Sequence, residues 1–437
     1  MAYTVGLYTL GCKVSQYETE AIGEAFEALG FEVRDAREVC DVYVVNTCTV
    51  TREADRKSRQ YIRRLLKKNP SACVMVTGCY SQTTPHELAE IDGVAYISGT
   101  YGKMQLPQRA LELLASPPAT PVVEVTDADE APFEPMCITR SPRTRAYVKV
   151  EDGCECRCTY CTIPAARGRV RSKAPADIFR EVEGLTARGT QEVVLTGIET
   201  ASYGVDLEGY RLIDLLEELD AKGYCKRLRL GSLTPEVVTE EFAARLGRLA
   251  SCVPHFHLSV QSGCDRVLAR MKRRYNAAGA LAAMERLRRH LPGVQFTTDL
   301  MVGFPGETEE MFLETLDFVR RARFLSMHVF CYSRRAGTPA DTYPDQVPEE
   351  VKHQRSQRLM ELGCSIRDAL LDEAVQNGKP LRLLLETKEK DGWHGHTDEF
   401  MSVTLEGDTD GAQGDLVWVM PRRHRDGQLY ATLAHQA

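Results

Sequence analysis

GCECRCTYC, residues 153–161, is the stretch on which the reading of the fold turns. Cys154, Cys158 and Cys161 stand in a C-x-x-x-C-x-x-C spacing just after a β-prone run, RAYVKV at 145–150. Thiolates are soft ligands suited to iron-sulfur clusters or zinc, and three of them leave one iron of a four-iron cluster open to a second molecule. A closed zinc site wants four N or S donors, and no His or further Cys follows at zinc-finger spacing. Cys156 keeps two other assignments open: a triplet of Cys156, Cys158 and Cys161, or a four-thiol zinc site.

Outward from this stretch the chain reads as α/β. Strand-like runs at 145–150, 191–196, 227–231, 255–260, 295–302 and 326–332 alternate with helical segments such as 176–188 and 278–290. Six such βα units predict a barrel or partial barrel of parallel strands with function at the carboxyl ends, a partial (βα)6 TIM-like barrel. Upstream, TVGLYTL (4–10), DVYVVNT (41–47) and SACVMVT (71–77) predict a small parallel sheet, and each is followed closely by a cysteine: Cys12, Cys48 and Cys79. Ligands sit at the carboxyl ends of strands in open α/β sheets, which places these thiols to converge; the competing reading is three unrelated core thiols. Residues 116–135, rich in Pro and acids, read as a linker. A polar helix covers 348–376, and after it LRLLLET, FMSVTLE, LVWVM and QLYATL, separated by Gly and Asp, predict a small antiparallel β-barrel. The expected organisation is an N-terminal α/β domain over 1–115, a linker over 116–138, a central domain over 139–376 and a terminal barrel over 377–437.

Composition narrows the class. With 27% charged and 43% hydrophobic residues and a mean hydropathy of -0.30, the 437-residue chain is neither disordered nor collagen-like. Fifteen cysteines cannot all pair within one molecule, the N-terminus MAYTVGLYTLGC carries no signal-peptide pattern, and no apolar run reaches the 18 or more residues of a membrane span. The expectation is a reducing cytoplasm, no membrane, and clustered thiols that hold metal. Net charge is -7, yet residues 52–68 carry eight basic side chains against two acidic, and 139–173 nine against three. Such patches are the footprint of phosphate contact, set against the ordinary solvated helix face.

The motifs together resemble the radical S-adenosyl-L-methionine (SAM) methylthiotransferases, over essentially the whole chain. Carrying the resemblance are DGCECRCTYCTIPAARGRVRS with Tyr160 before its last cysteine, LGCKVSQYE, VNTCTVTREADRKSRQ, VTGCYSQ, LTGIETASYG, HLSVQSGCDRVLARMKRRY, DLMVGFPGETEE and HVFCYSRRAGTPA. It implies two 4Fe-4S clusters. One, on Cys154, Cys158 and Cys161, chelates SAM and cleaves it to a 5′-deoxyadenosyl radical; the other, on Cys12, Cys48 and Cys79, carries the sulfur that a first SAM methylates. Tyr160, Gly197, Gln261 and Gly303 are the expected SAM contacts: the two glycines end strands where a ligand approaches backbone, and Gln261 follows the HLSV strand. Cys40, Cys73, Cys137, Cys225, Cys252, Cys264, Cys331 and Cys364 match no ligand position and read as structural, and Cys156 as a bystander.

The implied partners are a tRNA anticodon loop, an electron donor protein and a sulfur source. GCKV, NTCTVT and TRAYVKVEDGC resemble the branch acting on C2 of N6-threonylcarbamoyladenosine at tRNA position 37; sibling branches act on isopentenyladenosine in tRNA or on an aspartate of a ribosomal protein. The terminal segment, through GHTDEF (395–400) and WVMPRRHR (418–425), resembles TRAM, a small RNA-contacting barrel, although from Lys379 onward it holds seven basic and ten acidic residues. A rival of another class is a non-catalytic zinc-binding RNA module.

Overall fold

The computed structural model describes residues 2–407 and 409–434. Its N-terminal sheet is wholly parallel, in the order Glu32–Asp35, Thr4–Thr9, Val42–Thr47, Cys73–Gly78, Val94–Ser98, Val122–Glu124. The central runs VYVVNT and CVMVTG are buried at every residue, as strands covered by helices on both faces must be. The strand after Thr4–Thr9 pairs on one side and the next on the other, which creates a switch point whose crevice lies outside the carboxyl ends of Thr4–Thr9 and Val42–Thr47. Cys12 and Cys48 stand there, and Cys79 opens the helix Cys79–Thr83 after the neighbouring strand.

Residues 116–138 are not the free linker expected. Val122–Glu124 adds the sixth strand, and Ala128, Ala131, Met136 and Ile138 are buried. Pro and acidic content marked the segment as loop, but its two adjacent valines find a sheet edge. Arg171 then ties it down by donating to the carbonyls of Ala128 and Ala131.

The central unit holds the six expected β runs in sequential order, as seven parallel strands because the third run breaks at Gly231 into two. Arg145–Lys149, Glu192–Thr196 and Arg227–Leu230 form one sheet; Ser232–Leu233, His255–Gln261, Gln295–Val302 and Ser326–Cys331 form the next. Gly231 sits at the change of partner, its N–H bonded to the Leu195 carbonyl. The result is a partial barrel. Its floor is charged: Arg145, Glu192, Arg227 and His255, the first residues of four strands, converge with Arg229, and Glu192 pairs with Arg227 (2.8 Å) and Arg229 (2.7 Å). Burial pushes the Glu192 carboxyl up, but Arg229, Arg227 and Arg145 outweigh it and hold it down at about 2.

The last five strands, Leu381–Glu389, Gly392–Thr397, Ser402–Leu405, Gln428–Leu433 and Leu416–Arg425, close a barrel. It departs from the purely antiparallel expectation in one pairing, because Ser402–Leu405 runs parallel to Gln428–Leu433. The 29-residue helix Glu349–Asn377 connects it to the central unit and ends at Gly378, in the left-handed conformation common at helix C-termini. Phe400 plugs the charged floor. Its ring stacks between His255 (4.5 Å) and His396 (4.6 Å), with the guanidinium groups of Arg145 and Arg229 at 5.2 and 4.9 Å. The Thr397 carbonyl accepts from Arg227 at 2.9 Å.

Candidate cluster and cofactor site

The N-terminal triplet is assembled by turns that only glycine fits. Gly78 has φ +107°, and a Cβ there would stand 2.4 Å from the Thr47 carbonyl oxygen, so its absence brings Cys79 beside the end of the Val42–Thr47 strand. Gly11, at φ +138°, lies with its Cβ position 3.4 Å from Cys48 Cβ. Burial pushes the Cys48 thiol up to about 12, and the neighbouring sulfurs of Cys79 and Cys12 add to the shift. Cys79 is buried and receives the Arg167 Nε–H at 3.2 Å. Cys12 is exposed at the N-cap of Lys13–Ala28. Three soft donors at one switch-point crevice fit a thiolate-bound metal cluster.

The second triplet lies on the loop between Glu151–Asp152 and the helix Ile163–Arg167. The Cys154 N–H bonds to the Gly168 carbonyl at 3.0 Å, the Thr159 N–H to the Met271 carbonyl at 3.1 Å and the Cys161 N–H to the Cys158 carbonyl at 3.0 Å, which fixes the loop independently of any ligand. Cys158 is buried and takes an N–H from Arg273 Nη1 at 3.2 Å; the Cys161 sulfur takes the Ile163 N–H at 3.4 Å. Burial pushes the Cys161 thiol up to about 12. Gly153, with φ +92°, permits the loop: a Cβ there would fall 1.9 Å from the Arg169 carbonyl oxygen. Gly153→Ala is therefore expected to cost about 1–3 kcal/mol of backbone strain and to displace Cys154. Iron content after reconstitution, with a thermal melt, checks this; full iron loading with an unchanged melt would contradict it.

Of the expected SAM contacts, the structure brings two to one place. Tyr160 and Gln261 line a cavity of about 190 Å³ together with Cys161, Asp299, Met301 and Phe330. Gln261 has φ +68°, rare for a residue with a side chain, where the strand register shifts between Leu258 and Gln261; such re-aimed residues cluster at functional sites. Gly197 and Gly303 do not line this cavity. A Cβ on Gly197 would lie 2.5 Å from Glu151 Oε2, the carboxylate that receives the Glu199 N–H, and one on Gly303 (φ +71°) would lie 2.2 Å from Lys352 Cγ. Both glycines are required by loop packing.

The loops that carry the two triplets meet at the domain boundary: Val50 and Thr51, just after Cys48, line the same cavity as Cys161, and the Thr162 hydroxyl donates to the Thr49 carbonyl. Arg167, one short helix beyond Cys161, reaches Cys79, and its Nη1 also bonds Glu18 (2.5 Å) and Asp152 (3.3 Å). Arg335 spans the same boundary to Asp55 (2.6 Å) and Thr49 (2.5 Å). Beside them a second cavity, about 440 Å³, is lined by Arg52, Asp55, Arg59, Glu87, Cys161 and Arg335. These charged residues escaped the sequence reading as site residues, since their partners lie far apart in the chain.

Charge needs one correction. Within 139–173, Lys149, Arg167, Arg171 and Lys173 are buried, and Arg140, Arg143 and Arg145 pair with Glu27, Glu20 and Glu386; among the described residues only Arg157 and Arg169 stay exposed without an acidic partner, so most of this charge is not free for phosphate. The helix Arg52–Lys68 keeps its outward basic face, with Arg52, Lys57, Arg63, Arg64, Lys67 and Lys68 exposed. No helix among the described residues is long and apolar enough to cross a membrane.

Comparison with known proteins agrees with this arrangement. A family model described as the radical SAM superfamily matches residues 148–319, and one described as uncharacterized protein family UPF0004 matches residues 4–99. The chain is 40% identical, over 93% of its length and 91% of the relative's, to the threonylcarbamoyladenosine tRNA methylthiotransferase MtaB of Bacillus subtilis (strain 168). It is 37% identical to the Thermotoga maritima protein of the same name, over 82% of this chain and 81% of that one. It is also 33% identical to the tRNA-2-methylthio-N(6)-dimethylallyladenosine synthase of Clostridioides difficile (strain 630), over 98% and 91%. Among solved structures, the radical S-adenosylmethionine methyltransferase TsrM from Kitasatospora setae, with cobalamin and a [4Fe-4S] cluster bound, shares the fold: TM-score 0.56, 18% identity, 78% of this chain and 77% of that one. The chain belongs to the radical SAM tRNA methylthiotransferase family.

Proposed function

We propose that this enzyme adds a methylthio group to C2 of N6-threonylcarbamoyladenosine at position 37 of tRNA. In this reading Cys154, Cys158 and Cys161 hold the radical cluster, and Cys12, Cys48 and Cys79 hold a second one. The observation that carries it is that the loops of the two cysteine triplets meet, with Arg167, on the helix after Cys161, bonded to Cys79, in a chain whose relatives include enzymes named for that nucleoside. When bound, SAM and the clusters supply methyl transfer, the sulfur and the radical that activates C2.

The chain's own residues hold and tune these groups. Arg273, the Ile163 N–H and Arg167 each donate a hydrogen bond to one ligand sulfur, Cys158, Cys161 and Cys79 respectively, and such bonds set cluster potential. Tyr160 and Gln261 orient SAM in the smaller cavity, while Gly197 and Gly303 shape the loops around it. The larger cavity, with Arg52, Arg59 and Arg335, receives the modified nucleotide, and the exposed basic face of Arg52–Lys68 takes backbone phosphates. An anticodon loop suits this site because its bases are unstacked and can be splayed out. The terminal barrel contributes Trp418, 53% exposed, and Arg422 as an edge for RNA. An electron donor protein and a sulfur source complete the cycle.

Mass spectrometry of tRNA nucleosides from cells with and without the gene tests the substrate. The 2-methylthio derivative of threonylcarbamoyladenosine is expected to vanish with the gene. Loss of the isopentenyladenosine derivative instead, or no change in either, would overturn the reading.

A further inference from the structure

Cys156 has no place in either triplet, yet its thiol is not idle. Its sulfur stands 3.5 Å from Glu199 Oε2, and the Cys154 sulfur stands 4.0 Å from the same oxygen. One ligand atom from each of Cys154, Cys156 and Glu199 lies within 4.8 Å of the others. In a tetrahedral zinc site with bonds of about 2.0–2.3 Å, neighbouring donor atoms are separated by roughly 3.5–3.8 Å. The two sulfur–oxygen separations, 3.5 and 4.0 Å, thus already stand near the edge lengths of a mononuclear tetrahedron, and the two sulfurs lie within 4.8 Å of each other.

The carboxylate is prepared for the role. Glu199 follows Gly197 on a loop pinned by its own N–H to Glu151 Oε2 at 2.8 Å. Arg274 Nη2 bonds the Glu155 carbonyl between the two cysteines, at 3.3 Å. A donor held by its surroundings in this way binds metal better than a free one.

We propose that Cys154, Cys156 and Glu199 form a mononuclear site for a thiophilic divalent cation, zinc in particular, in the chain that has not yet received its radical cluster. Two thiolates and a carboxylate leave the fourth tetrahedral position to water, so the metal is exchangeable rather than structural. Binding releases the two thiol protons. Because Cys154 belongs to both sets, zinc here and a cluster on Cys154, Cys158 and Cys161 exclude each other. That consequence rests on the cluster assignment above; the mononuclear site itself does not.

Cobalt(II) titration of the full-length, cluster-free protein under anaerobic reducing conditions tests the site directly. The expected result is one equivalent of cobalt with tetrahedral d–d absorption and a thiolate-to-cobalt charge-transfer band. That equivalent disappears in Cys156→Ala and Cys156→Ser and weakens at least about tenfold in Glu199→Gln, but persists in Cys161→Ser. Persistence in both Cys156 variants, or disappearance in Cys161→Ser, overturns the proposal; a circular dichroism spectrum matching wild type confirms that the variants are folded. Zinc preloading is then expected to reduce iron uptake on reconstitution in wild type and not in Cys156→Ser. Unhindered uptake in cobalt-competent wild type would refute the shared use of Cys154 while leaving the mononuclear site standing.

Discussion

Replacing Glu18 by alanine is expected to destabilise the enzyme by about 3–5 kcal/mol, the cost of removing one partner from a buried ion pair. Glu18 is fully buried on the helix that begins at Cys12, and it pairs with Lys103 (2.6 Å), Lys149 (2.9 Å) and Arg167 (2.5 Å). Asp152 is the other carboxylate of the cluster, shared among Lys149, Arg167 and Arg171 at 2.6, 3.3 and 3.8 Å. Four cations therefore share two acids, and the alanine variant leaves Lys149, Arg167 and Arg171 on Asp152 alone and takes from Lys103 its ion-pair partner. For domains of this size the loss corresponds to a fall in Tm of roughly 6–20 °C, readable by differential scanning fluorimetry. Burial pushes the Glu18 carboxyl up, but Arg167, Lys103 and Lys149 outweigh it and hold it well below its ordinary value of 4.5. A carboxyl depressed in the folded state contributes its full stability above the unfolded value and loses it as pH falls through the folded one. The Tm gap between wild type and Glu18→Ala is therefore widest near neutrality and closes on acidification below about 4.5. A gap independent of pH, or absent at pH 7, would remove the network from the account of what joins the two domains.

The same network marks the boundary of what the sequence discloses. The spacing of Cys154, Cys158 and Cys161 stands out because its signal is local: three cysteines within eight residues, directly after a strand. The six central strands are legible because β-branched runs punctuated by helices repeat along the chain, and their observed bounds fall within a residue or two of those expected. Glu18 and Arg167, by contrast, are 149 residues apart, and nothing in either neighbourhood announces the pairing. Basic residues in 139–173 had the composition of a phosphate-binding patch, yet four of the nine turned inward, Lys149 and Arg167 to Glu18 on a distant helix, Arg171 to Asp152 and Lys173 to Glu181. Gly197 and Gly303 show the same ambiguity on a smaller scale. A strand-end glycine looks alike whether it admits a ligand, the Glu151 carboxyl or the Lys352 stem. Phe400 gave no local sign either, since its role exists only where the terminal barrel meets the floor of the central one.

Cysteine substitution is expected to separate the two triplets cleanly. With two four-iron clusters, reconstituted wild type should hold about eight irons per chain, and Cys158→Ala and Cys48→Ala about four each. The variants then diverge in chemistry. Cys158 lies buried against Arg273 on the loop that borders the Tyr160 and Gln261 cavity, so its loss should abolish reductive cleavage of SAM to 5′-deoxyadenosine. Cys48 lies across the domain boundary at the switch point of the N-terminal sheet, and its loss should leave that cleavage intact while methylthiolated product disappears. Cys156→Ala serves as the control for ligand identity: assigned outside both triplets, it should keep about eight irons and full SAM cleavage. About four irons in wild type, or SAM cleavage surviving in Cys158→Ala, would sink the two-cluster assignment. Loss of SAM cleavage in Cys156→Ala together with survival in Cys154→Ala would instead move the radical cluster onto Cys156, Cys158 and Cys161. The expected pattern would assign sulfur carriage to Cys12, Cys48 and Cys79 and radical chemistry to Cys154, Cys158 and Cys161, with Arg167 tying the two loops together because it bonds Cys79 while sitting on the helix that follows Cys161.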